Sequence, residues 1–274
     1  MNVLITNDDG INAPGLWALA AEMRQVAEVL VVAPDREQTG VGTSITLHRS
    51  LRVKPVQPAV AGVEAYSLEG SPADSVIVGT SMIWQDRVDL VVSGINEGPN
   101  LGKDVLVSGT VGAALQAHNC GLPAIALSVA AIEDIHFDVA ARLAALLAQK
   151  VGADQLERNA LLNVNLPNLP LAVIEGLDIT RLGESGYTQG FAVTKVVGSY
   201  DNRRTYCWIV PGATELKVEQ GTDIWAVERN RISVTPIHNS LTRHEEPEYL
   251  QGVCFQVSQD LSSDVLPVGD YLSP

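Results

Sequence analysis

Short apolar runs alternate with amphipathic stretches through the first half of the chain. The runs cover residues 3–5, 29–33, 89–93 and 124–128, and the second and third stop at Pro34 and Gly94. Between them, apolar residues recur at helical spacing after Pro14, over residues 111–120 and over residues 137–150. Continuous apolar runs are typical of buried parallel strands, and strands that alternate with helices indicate a doubly wound sheet. We therefore predict an α/β fold: a Rossmann-like open, mostly parallel sheet with helices on both faces.

The second half of the chain has a different pattern. Residues 161–165 and 231–236 look like further strands, and residues from about 187 to 218, rich in Thr, Val, Tyr and Gly, predict a long β-hairpin. The tail after Leu241 is acidic. We predict a single domain over residues 1–274, with its core at about 1–180 and 221–240, a protruding hairpin at about 185–220 and a C-terminal arm at about 241–274.

Composition and charge narrow the classes of function. The chain has 274 residues, 46% of them hydrophobic, and a formal net charge of -14. It can therefore form a large core, and it lacks the basic stripe of a protein that binds duplex nucleic acid. No apolar stretch reaches the ~20 residues that span a bilayer, so we expect no membrane partner. The three cysteines show neither metal spacing nor a disulfide framework, and a strand pattern begins at the N-terminus, so we expect a cytoplasmic protein without a signal peptide.

Two adjacent carboxylates, Asp8 and Asp9, follow the first predicted strand. Three other polar segments, residues 34–40, 94–100 and 108–110, follow a strand or begin a helix. All four should meet at the edge of the sheet where α/β proteins bind ligands. Neighbouring aspartates repel each other, which raises the pKa of one of them unless a cation is present. The sequence Asp-Asp-Gly is also compatible with a capped turn, so a turn and a metal site both stay open from these residues alone.

The side chains of these segments are carboxylates, hydroxyls and amides, a set that suits Mg²⁺ or Mn²⁺ better than a soft-ligand metal. Ser108, Gly109 and Thr110 begin a helix, where free N–H groups and the helix dipole favour an anion, although a simple cap explains them equally well. A cation beside an anion site suggests phosphate chemistry, and it would let a chain of net charge -14 hold an anionic substrate. Among the histidines, His238 is the candidate proton donor for a leaving group.

Several motifs, in order along the chain, resemble one known family. They are Asn7-Asp8-Asp9-Gly10 with Ala13-Pro14-Gly15, Ala33-Pro34-Asp35-Arg36, Gly70-Ser71-Pro72-Ala73-Asp74, Ser93-Gly94-Ile95-Asn96-Glu97-Gly98-Pro99-Asn100 and Ser108-Gly109-Thr110-Val111. Together they are similar to the survival protein E (SurE) family of nucleotidases over roughly residues 1–130, and more weakly to about Thr242. The resemblance implies a 5'-nucleotidase, a metal-dependent phosphatase that hydrolyses nucleoside monophosphates and holds one Mg²⁺ or Mn²⁺ per subunit.

The resemblance also assigns individual residues. It implies that the metal is held by Asp8, Asp9, Thr39 and Asn96. Thr39 stands where the family usually has Ser, and its extra methyl group stiffens χ1, which bears on metal preference. Val107 stands where the family commonly has Tyr. The family also forms dimers or tetramers with exchanged C-terminal segments, which implies a homodimer or homotetramer here.

For the reaction, we expect Asn100 and the N–H groups of Ser108, Gly109 and Thr110 to stabilise charge on the phosphoryl oxygens. Asp8 and Asp9 are the candidate catalytic residues. Aspartyl-phosphate enzymes use an Asp-x-Asp pattern, whereas these carboxylates are adjacent, so we favour attack by metal-activated water and leave open a role for Asp8 as base or nucleophile. Two alternatives remain: a broader phosphatase acting on polyphosphate or sugar phosphates, and a metal-dependent nucleotide-binding protein without turnover.

Overall fold

The computed structural model describes residues 1–186, 192–197, 205–210, 217–240 and 248–261. The strands are β1 (Asn2–Thr6), β2 (Glu28–Pro34), β3 (Val53–Pro55), β4 (Glu64–Leu68), β5 (Leu90–Glu97), β6 (Ala124–Ala130), β7 (Leu161–Pro167), β8 (Leu177–Ile179), β9 (Ala192–Val197), β10 (Thr205–Val210) and β11 (Ile232–Pro236). The α-helices are α1 (Pro14–Met23), α2 (Pro72–Val78), α3 (Gly109–Asn119), α4 (Phe137–Gly152), α5 (Asp223–Glu228) and α6 (Glu248–Leu261). Short π- and 3₁₀-helical turns lie at Gly79–Ile83, Gly102–Leu106 and Leu171–Val173.

One nine-stranded sheet runs through the molecule in the order β3-β4-β2-β1-β5-β6-β7-β11-β8. Its six central strands, from β4 to β7, are parallel. Taken in chain order, those six have the 3-2-1-4-5-6 arrangement of a Rossmann fold, which confirms the predicted fold class. The strand order reverses between β1 and β5, and ligands bind at such a reversal, outside the carboxyl ends of the strands.

Each face of the sheet is covered by its own layer of helices. Alternate residues of β1 point to opposite faces: Val3 and Ile5 pack with α1 and α4, whereas Leu4 packs with α2 and α3. These side chains are fully buried. Because both faces of the parallel strands are covered, the strands are mostly apolar, which is why the sequence shows them as nearly continuous runs.

The predicted strands and helices of the first half are confirmed, with one extension that matters for the site. The apolar run predicted to end at Ser93 continues as β5 to Glu97, with a shift in pairing between Ser93 and Asn96. Asn96 therefore lies in the strand, opposite Ser128 of β6, and not in a free loop. The short strands β3, β4 and β8, together with α2 and α5, were absent from the sequence prediction.

The predicted hairpin corresponds to β9 and β10, which pair antiparallel as a separate two-stranded sheet. Other parts of the predicted hairpin segment lie outside the described residues, as does most of the predicted arm. The chain divides into two compact units, Met1–Asn239 and Ser240–Pro274, next to the predicted start of the arm. The described part of the second unit is helix α6. Among the described residues, no helix combines the length and the apolar character needed to cross a bilayer.

Candidate active site

Asp8 lies just past the end of β1 and is almost fully buried, with 4% of its surface exposed. Burial raises the pKa of its carboxyl group, while the Thr110 hydroxyl and the backbone N–H groups of Thr110 and Gly109 lower it. The Thr110 hydroxyl donates a hydrogen bond to Asp8 Oδ1. The N-terminus of α3 is therefore directed at this carboxylate, where the helix dipole favours negative charge.

Gly109 is the residue that lets α3 approach Asp8. A Cβ atom at this position would lie 2.8 Å from Asp8 Cβ and 2.9 Å from Asp8 Oδ2. Both distances are too short for real side chains, so any larger residue would displace the aspartate. Ser108, the N-cap of α3, accepts a hydrogen bond from the Val111 N–H at 3.1 Å through its hydroxyl oxygen. The three residues of the predicted Ser-Gly-Thr segment thus have different tasks. Ser108 caps α3, Gly109 allows its close approach to Asp8, and Thr110 donates a hydrogen bond to Asp8.

Asp9 is partly buried and strongly perturbed. Burial, followed by the negative charges of Asp8, Glu97 and Glu37, raises its pKa to about 7, although the backbone N–H of Glu97 partly offsets this. Its Oδ2 atom is buried and has no hydrogen-bond partner among the described residues. A buried carboxylate oxygen without a donor is costly unless it is protonated or binds a cation.

The other two predicted metal ligands are the chain neighbours of residues that contact this pair: the Gln38 N–H donates to the Asp8 carbonyl at 2.7 Å, and the Glu97 N–H bonds to Asp9. Thr39 is exposed, and its hydroxyl donates to Glu37 Oε1 at 2.6 Å. Asn96 is half-buried, and its Nδ2 donates to the Gly98 carbonyl at 2.7 Å. The Thr39 hydroxyl hydrogen and one amide hydrogen of Asn96 are both donated to protein acceptors. In each residue the side-chain oxygen is therefore the atom that could bind a cation.

The arrangement fits a hard divalent cation. Among the described residues, no group of three or more His, Cys, Asp or Glu side chains could hold a metal ion. A cation at Asp8 and Asp9 would therefore need further, neutral oxygens, which Thr39 and Asn96 are predicted to supply. The unpartnered Asp9 Oδ2 and the raised pKa of Asp9 both show negative charge that the protein itself does not neutralise. Oxygen ligands of this kind suit Mg²⁺ or Mn²⁺.

Asn100, a predicted phosphate ligand, lies in a network of buried amides. Its N–H donates to Asn165 Oδ1 at 2.8 Å, and its carbonyl accepts from Asn163 Nδ2 at 2.8 Å and Asn165 Nδ2 at 3.1 Å. Its own Nδ2 donates to Ser128 Oγ at 2.9 Å. Asn165 therefore binds both backbone groups of Asn100, as a neighbouring strand would.

Sequence reasoning placed the segments that contain Glu37 and Glu97 at this edge but gave these two glutamates no role, and it did not place Asn163 or Asn165 there. Asn163 and Asn165 did leave a signal, because they are polar residues at alternate positions of a strand that is otherwise apolar. In a buried strand such a pair shares one face and must find partners. The two glutamates left no signal, since their effect depends only on distance from Asp9.

His238 does not lie at this edge, contrary to its suggested role as proton donor. Strand β11 runs antiparallel to β7, with Pro236 opposite Leu162 near the start of β7. Residues after β11 therefore emerge where the parallel strands begin, and Asn239 there bonds to Asn119 at the end of α3.

Comparison with known proteins decides the family. The family described as "Survival protein SurE" matches residues 3–189, more than half of the chain. The chain belongs to the SurE family. This membership confirms the resemblance drawn from the sequence motifs.

Similar proteins of the SurE family cover nearly the whole chain. A protein of Dehalococcoides mccartyi (strain CBDB1) named "5'-nucleotidase SurE" is 44% identical over 243 residues, which is 88% of this chain and 90% of that protein. One of the same name from Legionella pneumophila (strain Lens) is 40% identical over 258 residues, covering 94% and 98%. The crystal structure of the SurE protein from Aquifex aeolicus is similar with a TM-score of 0.76 and 36% identity, covering 92% and 99%.

Proposed function

We propose that this SurE-family chain is a 5'-nucleotidase that releases phosphate from nucleoside monophosphates by metal-activated water. The observation that carries the proposal is the pair Asp8 and Asp9 at the reversal of strand order, with a buried Asp9 oxygen that lacks a partner. Relatives that are 40% and 44% identical over most of the chain are named 5'-nucleotidases, which supports the enzyme class.

The residues at this edge of the sheet have separate proposed roles, in metal binding and in phosphate binding. Asp8, Asp9, Thr39 and Asn96 would hold one divalent cation, Mg²⁺ or Mn²⁺, which would neutralise phosphate charge and lower the pKa of a water molecule. Asn100 and the N-terminus of α3, formed by Ser108, Gly109 and Thr110, are assigned to the phosphoryl oxygens. In the structure the N–H groups of Gly109 and Thr110 face Asp8, and the Ser108 N–H donates to the Asp104 carbonyl at 3.1 Å, so a bound phosphate would share these donors with them.

Asp8 is held in one orientation by Thr110 on one oxygen and by Gly109 against its side chain. With one oxygen occupied by Thr110, Asp8 keeps its other oxygen for a cation, and we assign it a ligand role, with attack by metal-activated water. The raised pKa of Asp9 lets its carboxyl group take or return a proton near neutral pH when no cation neutralises the site.

The assembly is also a proposal. We propose that the chain forms a homodimer or homotetramer in which the C-terminal segments are exchanged, as the family resemblance implies. Light scattering coupled to gel filtration measures the mass of the full chain in solution, and a monomer at micromolar concentration would rule the assembly out.

One activity panel tests the function. Phosphate release is measured from nucleoside 5'- and 3'-monophosphates, sugar phosphates and polyphosphate, each with Mg²⁺, Mn²⁺ or a chelator. We expect the highest kcat/KM on a 5'-monophosphate, loss of activity with the chelator, and loss in Asp9→Asn. A clear preference for polyphosphate or sugar phosphates would point to the broader phosphatase, and metal-dependent nucleotide binding without turnover would point to a binding protein.

The matched control is Asp35→Asn. Asp35 is a second half-buried aspartate at the same edge, after β2, and one of its oxygens also lacks a hydrogen-bond partner among the described residues. The proposal assigns it no metal. Wild-type activity in Asp9→Asn, or an equal loss in both variants, would contradict the assigned metal site.

A further inference from the structure

Residues 38–47, which we call the strap, carry Thr39 across the edge of the sheet. At its start, the Gln38 N–H donates to the Asp8 carbonyl at 2.7 Å. Beyond that point the strap contains no strand or helix. An exposed segment without regular structure holds a side chain in place only if it is fastened at several points.

The middle of the strap is fastened to α3. The Gly42 N–H donates to the Val107 carbonyl at 2.9 Å, just before the cap of α3. Gly112 inside α3 lies so close to the strap that a Cβ there would overlap the Gly42 carbonyl, and the Thr43 nitrogen would be only 3.0 Å away. The strap and the helix that faces Asp8 are therefore in direct backbone contact.

The far end of the strap is fastened to the start of α2 by one buried carboxylate. Asp74 is 1% exposed. Its Oδ1 accepts the Thr46 N–H at 2.9 Å, and its Oδ2 accepts the Thr46 hydroxyl at 2.7 Å and the Ser71 N–H at 2.9 Å. Ser71 in turn donates its hydroxyl to the Ser44 carbonyl at 2.5 Å.

Asp74 thus does two tasks at once. With Ser71 it forms the capping box of α2, since the Asp74 N–H donates to Ser71 Oγ at 3.0 Å. A capping box needs only one oxygen of its acidic residue. The hydrogen bonds that the capping box does not need go to Thr46 of the strap: Asp74 Oδ1 accepts the Thr46 N–H, and Asp74 Oδ2 accepts the Thr46 hydroxyl as well as the Ser71 N–H.

We infer that Asp74 is a positioning residue for the metal site: through Thr46 it fastens the strap so that Thr39 stays beside Asp8 and Asp9. The inference rests on the proposed function, because it takes Thr39 as a metal ligand. A ligand that occupies its binding position only part of the time weakens affinity in proportion to that fraction. Loosening the strap should therefore weaken metal binding without any change in the ligands.

The test replaces Thr46 rather than Asp74, because removing Asp74 would also damage the cap of α2. Thr46→Val removes the hydroxyl bond and keeps the shape and the N–H, and Thr46→Ser restores the hydroxyl. Thr80→Val is the matched control, since Thr80 is also held by a hydroxyl bond, to the Val76 carbonyl at 2.8 Å, beyond the end of α2. Mn²⁺ affinity of the full chain without substrate is measured by calorimetry, and hydrogen exchange is measured over residues 38–47.

We expect Thr46→Val to bind Mn²⁺ roughly fivefold more weakly, the size of one intramolecular hydrogen bond. Its strap amides should exchange faster, while its Tm stays close to that of Thr80→Val and Thr46→Ser behaves as wild type. Wild-type Mn²⁺ affinity in Thr46→Val, or unchanged exchange in the strap, would overturn the inference. Wild-type affinity in both Thr39→Val and Asp9→Asn would instead overturn the metal site of the proposed function.

Discussion

Asp8 and Thr39 are both assigned to the same metal, yet the fold holds them in different ways. Asp8 is buried, accepts the Thr110 hydroxyl and lies against Gly109. Thr39 is exposed, bonds to a glutamate two positions away and depends on strap contacts made elsewhere. The buried side of the site is therefore set by packing and the exposed side by a few hydrogen bonds.

This difference predicts unequal consequences of mutation. On the buried side, a small substitution either leaves a polar group without a hydrogen-bond partner or makes a steric overlap with an atom that cannot move. Where both occur together, they lower the free energy of unfolding by several kcal/mol. On the exposed side, water replaces a lost partner, and surface substitutions stay within about 0.5 kcal/mol of stability. Changes on the two sides should thus separate activity from stability.

The largest effect is expected for Gly109→Ala. The added methyl group overlaps Asp8 Cβ at 2.8 Å and must displace the carboxylate. Misplacing a catalytic group by about 1 Å can cost about 100-fold in rate, and we expect a loss of that order in kcat/KM for phosphate release. Gly152→Ala is the control, because a Cβ there meets only Met1 Sδ at 3.4 Å. Equal activity of the two variants would show that α3 does not position Asp8.

Asn165→Ala should reduce both activity and stability. It leaves the buried Asn100 N–H unpaired, while the Asn100 carbonyl keeps its bond from Asn163. An unsatisfied buried donor costs about 1–3 kcal/mol, which urea unfolding measures, and the shifted Asn100 should lower kcat by about tenfold.

Asn168→Ala is the matched control for Asn165→Ala. Asn168 makes a similar pair of bonds, from the His136 N–H at 2.8 Å and to the Asp134 carbonyl at 3.1 Å, on a loop without predicted site residues. If Asn165→Ala lost stability but kept full kcat, Asn100 would have no part in the reaction.

Metal affinity should fall as the pH is lowered through about 7. The pKa of Asp9 without metal is raised to about 7, so below that pH a cation must displace a proton. With one proton displaced, the Mn²⁺ dissociation constant should rise by about tenfold per pH unit well below the pKa. Calorimetry at a series of pH values from about 5.5 to about 8.5 measures it.

Glu97→Gln sharpens the pH experiment. The negative charge of Glu97 contributes to the raised pKa of Asp9, so its removal lowers that pKa and moves the midpoint to lower pH. If the pH midpoint of Mn²⁺ affinity were the same in Glu97→Gln and wild type, or if the affinity did not change between about pH 6 and about pH 8, Asp9 would not control binding.

The smallest effect is expected for Thr39→Val. Loss of one neutral hydroxyl ligand should weaken Mn²⁺ binding by less than about tenfold, which is the lower end of the losses in metal affinity seen when groups around a metal are mutated. Because Thr39 is exposed, the free energy of unfolding should stay within about 0.5 kcal/mol of wild type. Thr39→Ser keeps the oxygen and should keep the affinity. A large loss of stability in Thr39→Val would mean that the strap, too, is held by packing.

Much of the fold could be predicted because its signals are local. The parallel strands are buried on both faces, so their apolar runs stand out in the sequence, and Asp8 and Asp9 directly follow one of them. The strands that were missed give no such signal. β3 and β8 have three residues each, and β4 mixes exposed, partly exposed and buried positions without a regular alternation.

The site could be predicted only in part, for the same reason. The oxygen-bearing segments were located because each follows a strand or begins a helix. The role of His238 was misplaced because strand direction is a tertiary property, and β11 runs against its neighbour β7. The perturbation of Asp9 by Glu37 and Glu97 likewise depends on distances that no spacing in the sequence contains.

By itself the sequence determined the Rossmann-like class, the family and the edge of the sheet at which we propose the chemistry. These follow from periodicity and from motifs of neighbouring residues, which are local. Only the tertiary structure decided which groups support the site: Thr110 at Asp8, Asn165 at Asn100, and Asp74 at Thr46. Those contacts join residues 102, 65 and 28 positions apart. They exist because packing the helices on the sheet brings buried polar groups together, and each such group must find a partner.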